Sequence, residues 1–497
     1  MSHSETARHL LLLVWLGSTP LFADETKPPL TTRTDPAGVL LKGWFEAGAA
    51  AGHAGDHYDN RDGGHSALEL ARYPQLRPLL YLESQREQKK DYGPPSEIRP
   101  ETVIGNASLA SSAVGGASIP RLLSSTREGM AFLAGQYLAN QLYIYPEHQD
   151  HDPTGEGLSG YGDLYATNTP YLLISQGSSG SDQTLLNAVA MTLASFPPAV
   201  KEELRRQKLL MPVVQQILRS SLKSVKGRED YLTAVAHPSV FAAEAIDEEK
   251  MMRTAQAMTL KTLPPLFHLE LVRESPAPRP GIDCFEGPGR ESESLADQGM
   301  VIARVFRGTA REREITVRVA RVQEWAGRPL QIHWRVLRGD AEAVAITRSE
   351  TAPEATIRVK WTEPGWPVPG SPGLGSRRIE IGVFADNGET YSPPCFVTFY
   401  FLPNEQRRYD QQDRIRSVDY GYSGAFTDVT LTSSKPWRDL YHYDKTSGTL
   451  TGWTREEKEK APLEFDAEGR LLQDGKALPV RYENDPATQR LVWKSGE

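Results

Sequence analysis

The sequence predicts a multidomain fold: a helix-rich N-terminal domain with long loops, then an antiparallel Ig-like β-sandwich, then a small β-hairpin module. Three observations predict it. The chain has 497 residues, and about 150 residues per hydrophobic core gives roughly three domains. Apolar residues follow a helical period up to Met258 and alternate from Val301 onward. Between these regions lies a stretch rich in Pro, Gly, Glu and Ser, which is linker composition.

The first residues set the compartment. Arg8 and His9 lead into the apolar run 10–16, and Ala23 precedes Asp24. A weakly basic start, a short apolar run and a small residue before the cut describe a secretory signal peptide over 1–23. The run of seven residues falls far short of the roughly 20 needed to span a bilayer. A secreted or periplasmic protein is expected, with no transmembrane segment after signal cleavage. Residues 24–40 are polar and rich in Pro and Thr, which predicts a disordered lead-in. Apolar residues make up 39% of the chain and charged residues 24%, placing it among ordinary globular proteins. The net charge of −8 argues against nucleic acid as a partner.

Residues 41–262 form the helix-rich domain. Ser125 and Glu128 make a capping box ahead of Met130, Leu133, Tyr137 and Leu138, predicting a helix over 125–140. A stripe of Leu186, Val189, Ala190 and Leu193 predicts a helix over 183–196, stopped by Pro197 and Pro198. Helices are also expected over 200–209, 213–222 and 246–258. The apolar run 171–175 reads as a buried strand.

Residues 263–297 are the linker and 298–405 the sandwich, with strands expected at 301–306, 315–322, 331–336, 343–346, 355–361, 378–385 and 396–402. Residues 332–336, 357–361 and 379–388 give this part its resemblance to immunoglobulin-like and PKD-like modules of exported bacterial proteins, which implies an architecture and no activity. The only cysteines are Cys284, before the first sandwich strand, and Cys395, at the start of the last. In an oxidising compartment they either pair, closing a long loop, or remain free thiols. Residues 406–497 hold a weak repeat. Tyr443-Asp444 leads to Leu450, Phe465-Asp466 to Leu471, and Asn484-Asp485 to Leu491. Stacked hairpins are expected, similar to the Tyr-Asp repeats of bacterial surface proteins. Trp437, Trp453 and Trp493 there either stack on sugar rings or fill the module's core.

Three clusters carry chemical potential. One window includes His57, Asp59 and His65; a second includes His148, Asp150 and His151. Imidazole and carboxylate are ligands for a divalent metal, zinc or calcium among them. The spacing fits no strict metal signature, and the same residues make turns and caps in solvated loops. The third cluster is Gly177, Ser178, Ser179, Gly180, Ser181 and Asp182, between the strand at 171–175 and the helix from Gln183. A Gly/Ser loop feeding a helix N-terminus offers amide groups to an anion or a sugar hydroxyl. It also serves as a plain turn with an N-cap. Asn106-Ala107-Ser108 is a glycosylation sequon.

Residues 58–66, 145–153 and 175–182 give the N-terminal domain its similarity to an uncharacterised group of exported bacterial proteins. That likeness implies export and supplies no mechanism. Two functions follow from the residues: an exported binding or envelope-associated protein with a ligand pocket in the N-terminal domain, carbohydrate or a cell-envelope component being the partner; or a metal-dependent hydrolase acting on an extracellular polymer.

Overall fold

The computed structural model describes residues 31–49, 55–107, 123–146, 166–177, 180–362, 366–368, 371–402, 404–421, 431–488 and 490–495. The signal segment 1–23 lies outside the described residues. Among the described residues no helix is long and apolar enough to cross a membrane.

The N-terminal domain is not a helical domain with loops. It is organised on a five-stranded parallel sheet of β1 (Asp56–Asn60), β2 (Leu76–Pro78), β3 (Val103–Asn106), β4 (Gln141–Pro146) and β5 (Leu173–Ser175), in the order β2-β1-β3-β4-β5. The helices around it are α1 (Pro36–Ala49), α2 (Glu83–Glu87), α3 (Arg127–Leu138), α4 (Gln183–Ser195), α5 (Pro198–Arg206), α6 (Leu210–Ser221) and α7 (Glu248–Ala257). The expected helices are therefore present, within a few residues of their expected bounds. β5 falls within the buried strand expected at 171–175, and the other four strands escape the sequence for a physical reason. Every residue of β3, β4 and β5 is buried, so these strands face protein on both sides and show no alternation. β1 reads Asp-His-Tyr-Asp-Asn, the composition of a turn.

The chain is also ordered earlier than expected. Helix α1 starts at Pro36, within the stretch expected to be disordered, and the Asp35 side chain accepts from the Gly38 N–H at its first turn (2.8 Å). Arg33 is tied to Asp35 on one side and to Asn187 (2.7 Å) and Glu248 (2.5 Å) on the other, which anchors the entry of the chain to α4 and α7.

The sandwich has two sheets. One has the order β11-β12-β9-β6, from β6 (Leu266–Glu274), β9 (Glu312–Gln323), β11 (Val344–Arg348) and β12 (Glu354–Lys360). The other has the order β10-β15-β16-β8-β7, from β7 (Ser294–Gln298), β8 (Val301–Phe306), β10 (Gln331–Arg338), β15 (Arg378–Asp386) and β16 (Cys395–Phe401). A hairpin of β13 (Trp366–Val368) and β14 (Ser371–Ser376) precedes β15. The ABED and CFG strand orders of an immunoglobulin-like sandwich fit these two sheets. Two corrections follow. Leu266–Glu274, placed in the linker, is the first strand, paired along β9. The β8–β16 pair is parallel, so the sandwich is not wholly antiparallel.

Both cysteines are buried free thiols. Since β6 precedes Cys284, that residue is not at the first strand at all. It lies in the turn after β6, where burial and the nearby Glu286 carboxylate push its thiol up to about 12. Cys395 packs elsewhere, its Sγ 3.9 Å from the Phe267 carbonyl.

The last module is a seven-stranded meander, β17 (Gln406–Tyr409), β18 (Ile415–Asp419), β19 (Trp437–Tyr443), β20 (Leu450–Glu457), β21 (Leu463–Asp466), β22 (Leu471–Gln473) and β23 (Lys476–Leu478), followed by the hairpin β24 (Val480–Asp485) and β25 (Arg490–Ser495). The three repeat aspartates do one job. Asp444, Asp466 and Asp485 each accept turn N–H groups, as from Ser447 (2.7 Å), Arg470 (2.9 Å) and Ala487 (3.0 Å). Asp410 is a fourth, accepting from Gln412 and Arg414. Trp437 and Trp453 are buried among Phe285, Tyr441, Phe465 and Tyr482, so they build the core and are not sugar platforms.

Candidate functional site

All five strands of the parallel sheet run the same way, so their carboxyl ends share one edge. The chain enters with β1, passes to β2 on one side, and returns to β3 on the other. Strand order therefore reverses between β1 and β3, and in open α/β sheets ligands bind outside the carboxyl ends at such a point. The segments that leave this edge are those with unusual polar composition: residues 61–66 after β1, Ala107 after β3, and the described residues 176, 177 and 180–182 after β5. β4 ends there at Pro146.

Side-chain alternation along β1 separates two networks. On one face Asp59 is saturated: Oδ1 accepts from Tyr81 Oη (2.9 Å), Oδ2 from Tyr143 Oη (2.7 Å), and the Arg61 guanidinium lies 3.7 Å away. Gly105 makes room for this arrangement, since a Cβ there would stand 2.4 Å from the Tyr143 ring and 2.6 Å from the Asp59 carbonyl. Arg61 is itself fixed by the Gly93 carbonyl (2.7 Å) and Tyr81 (2.5 Å). This network holds the loop and leaves Asp59 no obvious capacity for a ligand.

The other face is different. Tyr58 Oη donates to Asn106 Oδ1 (2.9 Å) and accepts from the Leu68 N–H (3.1 Å). Asn106 Nδ2 makes a long bond to the His65 carbonyl (3.4 Å) and also faces Asp182. Ser66, with φ of 54° in the left-handed region, accepts from the Gly180 N–H (2.6 Å), which joins the β1 loop to the β5 loop. Ser175 and Ser181 share a hydroxyl–hydroxyl bond of 2.7 Å. Among them lies Asp182, 0% exposed at the start of α4, with no hydrogen bond of good geometry to either carboxylate oxygen among the described residues. Burial raises its carboxyl above the ordinary carboxylate range, while the Ser66 and Asn106 side chains and the Gly180 N–H work against the rise. A carboxylate held dry without a counter-charge is costly and uncommon. Asp62 is buried as well, and burial of the Tyr58 phenol, together with the Asp182, Asp59 and Asp62 carboxylates, pushes it upward.

Of the expected metal ligands, His57 is half-buried within β1, where burial lowers its imidazole; His65 is exposed past the strand end; Asp59 is occupied. Among the described residues no three His, Cys, Asp or Glu side chains gather into a metal-binding set. His148, Asp150 and His151 lie outside the described residues, as do Ser178 and Ser179. Gly177, Gly180, Ser181 and Asp182 are at the edge, with positive φ at both glycines (118° and 99°) as a tight turn requires. Asn106 is fully buried, so its sequon is closed to a glycan in the folded chain. Ser66, Asn106, Tyr58 and Ser175 were not read as site residues. The available signal was that each lies on or just after a short strand ending at this edge.

Compared with models of known protein families and with curated proteins, the sequence matches none.

Proposed function

We propose that this is an exported binding protein whose N-terminal domain takes a small, uncharged, hydroxyl-rich ligand at the carboxyl edge of the parallel sheet. A carbohydrate or cell-envelope fragment has that chemistry. The observation that carries the reading is Asp182, enclosed at the α4 N-terminus with no hydrogen bond of good geometry to either oxygen among the described residues, and with Ser66 and Asn106 beside it. A carboxylate of this kind accepts two neighbouring hydroxyls of a diol, and serine and asparagine side chains match the alternating donors and acceptors of a sugar ring. Asp62 and Asp182 repel an anion. Export is supported by the apolar run 10–16 and the Ala23 cut. The Ser66–Gly180 hydrogen bond closes the site, and Gly63, Gly64, His65 and Gly180 form the exposed rim above it.

The test is calorimetric titration of the full chain with neutral mono- and oligosaccharides and, as a contrast, their sulfated forms. Neutral sugars are expected to bind, with at least a tenfold loss in Asp182→Asn and Asn106→Ala. Equal binding by wild type and variants, or a preference for sulfated sugars, overturns the reading.

A further inference from the structure

The carboxyl edge also holds the parts of a covalent catalyst. We propose that Ser66 is a nucleophile that removes an acyl group esterified to the hydroxyl-rich ligand, with Asp182 as its base; this rests on the ligand-site reading above. Three independent observations converge on the pair. Ser66 has a left-handed backbone, φ 54°, a conformation that strains a non-glycine residue and clusters at functional sites. Its hydroxyl oxygen meets the Gly180 N–H at 2.6 Å, near the N-terminus of α4, so an alkoxide formed there is stabilised by an amide donor and the helix dipole. Asp182 is beside it, fully enclosed, with the Ser66 and Asn106 side chains and the Gly180 N–H turned toward its carboxylate. Among the described residues the other two serines at the edge lack this set: Ser175 and Ser181 bond to each other, and neither has a left-handed backbone.

The step balances without a metal or redox partner. Ser66 Oγ attacks the ester carbonyl carbon as its proton passes to Asp182, and the carbonyl oxygen becomes negative. The Gly180 N–H, released from Ser66 Oγ as that oxygen bonds to carbon, is the donor nearest to that oxygen. Collapse breaks the bond to the alcohol, which takes the proton back from Asp182 and leaves as the free ligand hydroxyl. Water then cleaves the acyl-Ser66 ester by the same route, giving a carboxylic acid and restoring the serine. Burial that raises the Asp182 carboxyl makes it a better proton acceptor than an exposed aspartate.

A biotinylated fluorophosphonate, which phosphonylates activated serines, provides the test. The full-length wild-type protein is labelled and the adduct located by peptide mass mapping. One adduct per chain on Ser66 is expected, with labelling slowed about 100-fold in Asp182→Asn, the usual scale for loss of a general base. p-Nitrophenyl acetate should give a burst of one nitrophenolate per chain. An unmodified wild-type protein, or an adduct on Ser175, Ser181 or elsewhere, overturns the proposal. Because the adduct is mapped on wild type, a variant that misfolds does not obscure the answer. Saccharide binding that still depends on Asp182, without any adduct, sinks the nucleophile and leaves the binding site standing.

Discussion

Asp182 is an electrostatic liability to the fold, and the sign of its contribution is fixed by its surroundings. Its carboxyl is raised in the folded chain, mainly by burial, above its value in an unfolded one. The native state therefore holds the proton more tightly. Stability falls as pH rises from the ordinary carboxylate range, about 4, through the raised value. Below that range the penalty disappears. Asp182→Asn is accordingly expected to raise the thermal midpoint at pH 7 by a few degrees, corresponding to roughly 1 kcal/mol or more of relieved burial. Melting curves of the two proteins should converge near pH 4; a midpoint lowered at pH 7 by the same substitution contradicts this account. A residue that weakens the fold while completing a site follows the familiar conflict between stability and function. At this scale the sequence was partly legible. Asp182 and the glycines around it stood out because turn and cap chemistry has a recognisable composition. Ser66 and Asn106 did not, because what distinguishes them is a backbone angle and a buried neighbour, and neither is written in residue type.

At the scale of elements, alternation was a reliable guide in the sandwich, as in β9, β10 and β12, where exposed and buried residues mix along the strand, and failed in the short, wholly buried strands β3 and β4 of the parallel sheet. β4 presents six buried residues and β3 four. A run that short has no period to detect, and only the parallel pairing of its neighbours declares it a strand. The hairpin module was legible for a local reason, since each repeat aspartate accepts N–H groups of its own turn. What joins its strands was not. Arg455 on β20 is 0% exposed, forms a two-pronged bond with Asp439 on β19 (2.8 Å each) and donates to Tyr482 Oη (2.9 Å). Its guanidinium lies 4.2 Å from the Trp437 ring centre and 4.7 Å from that of Phe285. Asp439→Asn leaves this cation buried with half its partner, and a loss of about 3–5 kcal/mol is expected. Fluorescence of Trp437 and Trp453 during urea unfolding reads it directly. A shift in midpoint below 1 kcal/mol means the aromatic cage, and not the ion pair, holds Arg455.

Across the whole molecule, the N-terminal domain and the sandwich share one continuous core, which makes the sandwich a structural wall of the α/β domain and not a detached spacer. Asn168 Nδ2 donates to the buried Glu380 of β15 (3.1 Å), which also accepts from Arg338 (2.9 Å). Tyr171 Oη accepts from the Met300 N–H (3.3 Å), and Tyr231 Oη donates to the Ser392 carbonyl (2.9 Å). His237 stands at the centre of this junction. Its Nε2–H donates to the Tyr231 carbonyl (2.6 Å), its ring packs 4.9 Å from Phe384 and 5.9 Å from Phe396, and Nδ1 has no hydrogen-bond partner among the described residues. Burial, with help from the Arg219 and Arg338 cations, holds its imidazole well below the usual range. Because the folded value is depressed, the unfolded state binds the extra proton first. The stability tied to neutral His237 is complete above about pH 6.5 and is lost as pH falls below it, by up to about 1.4 kcal/mol per pH unit. Other histidines titrate in the same window, so the informative quantity is a difference. Wild type minus His237→Gln in unfolding free energy should decline steadily from pH 7 to pH 5. Because the proton must enter a core common to both units, the wild-type acid transition is expected to carry α/β and sandwich signals together, in one step by circular dichroism and by calorimetry. A difference that does not change with pH removes His237 as the acid-sensitive point. Two separated transitions instead mean that the shared core does not couple the units, and that the sandwich supports the ligand edge without sharing its fate.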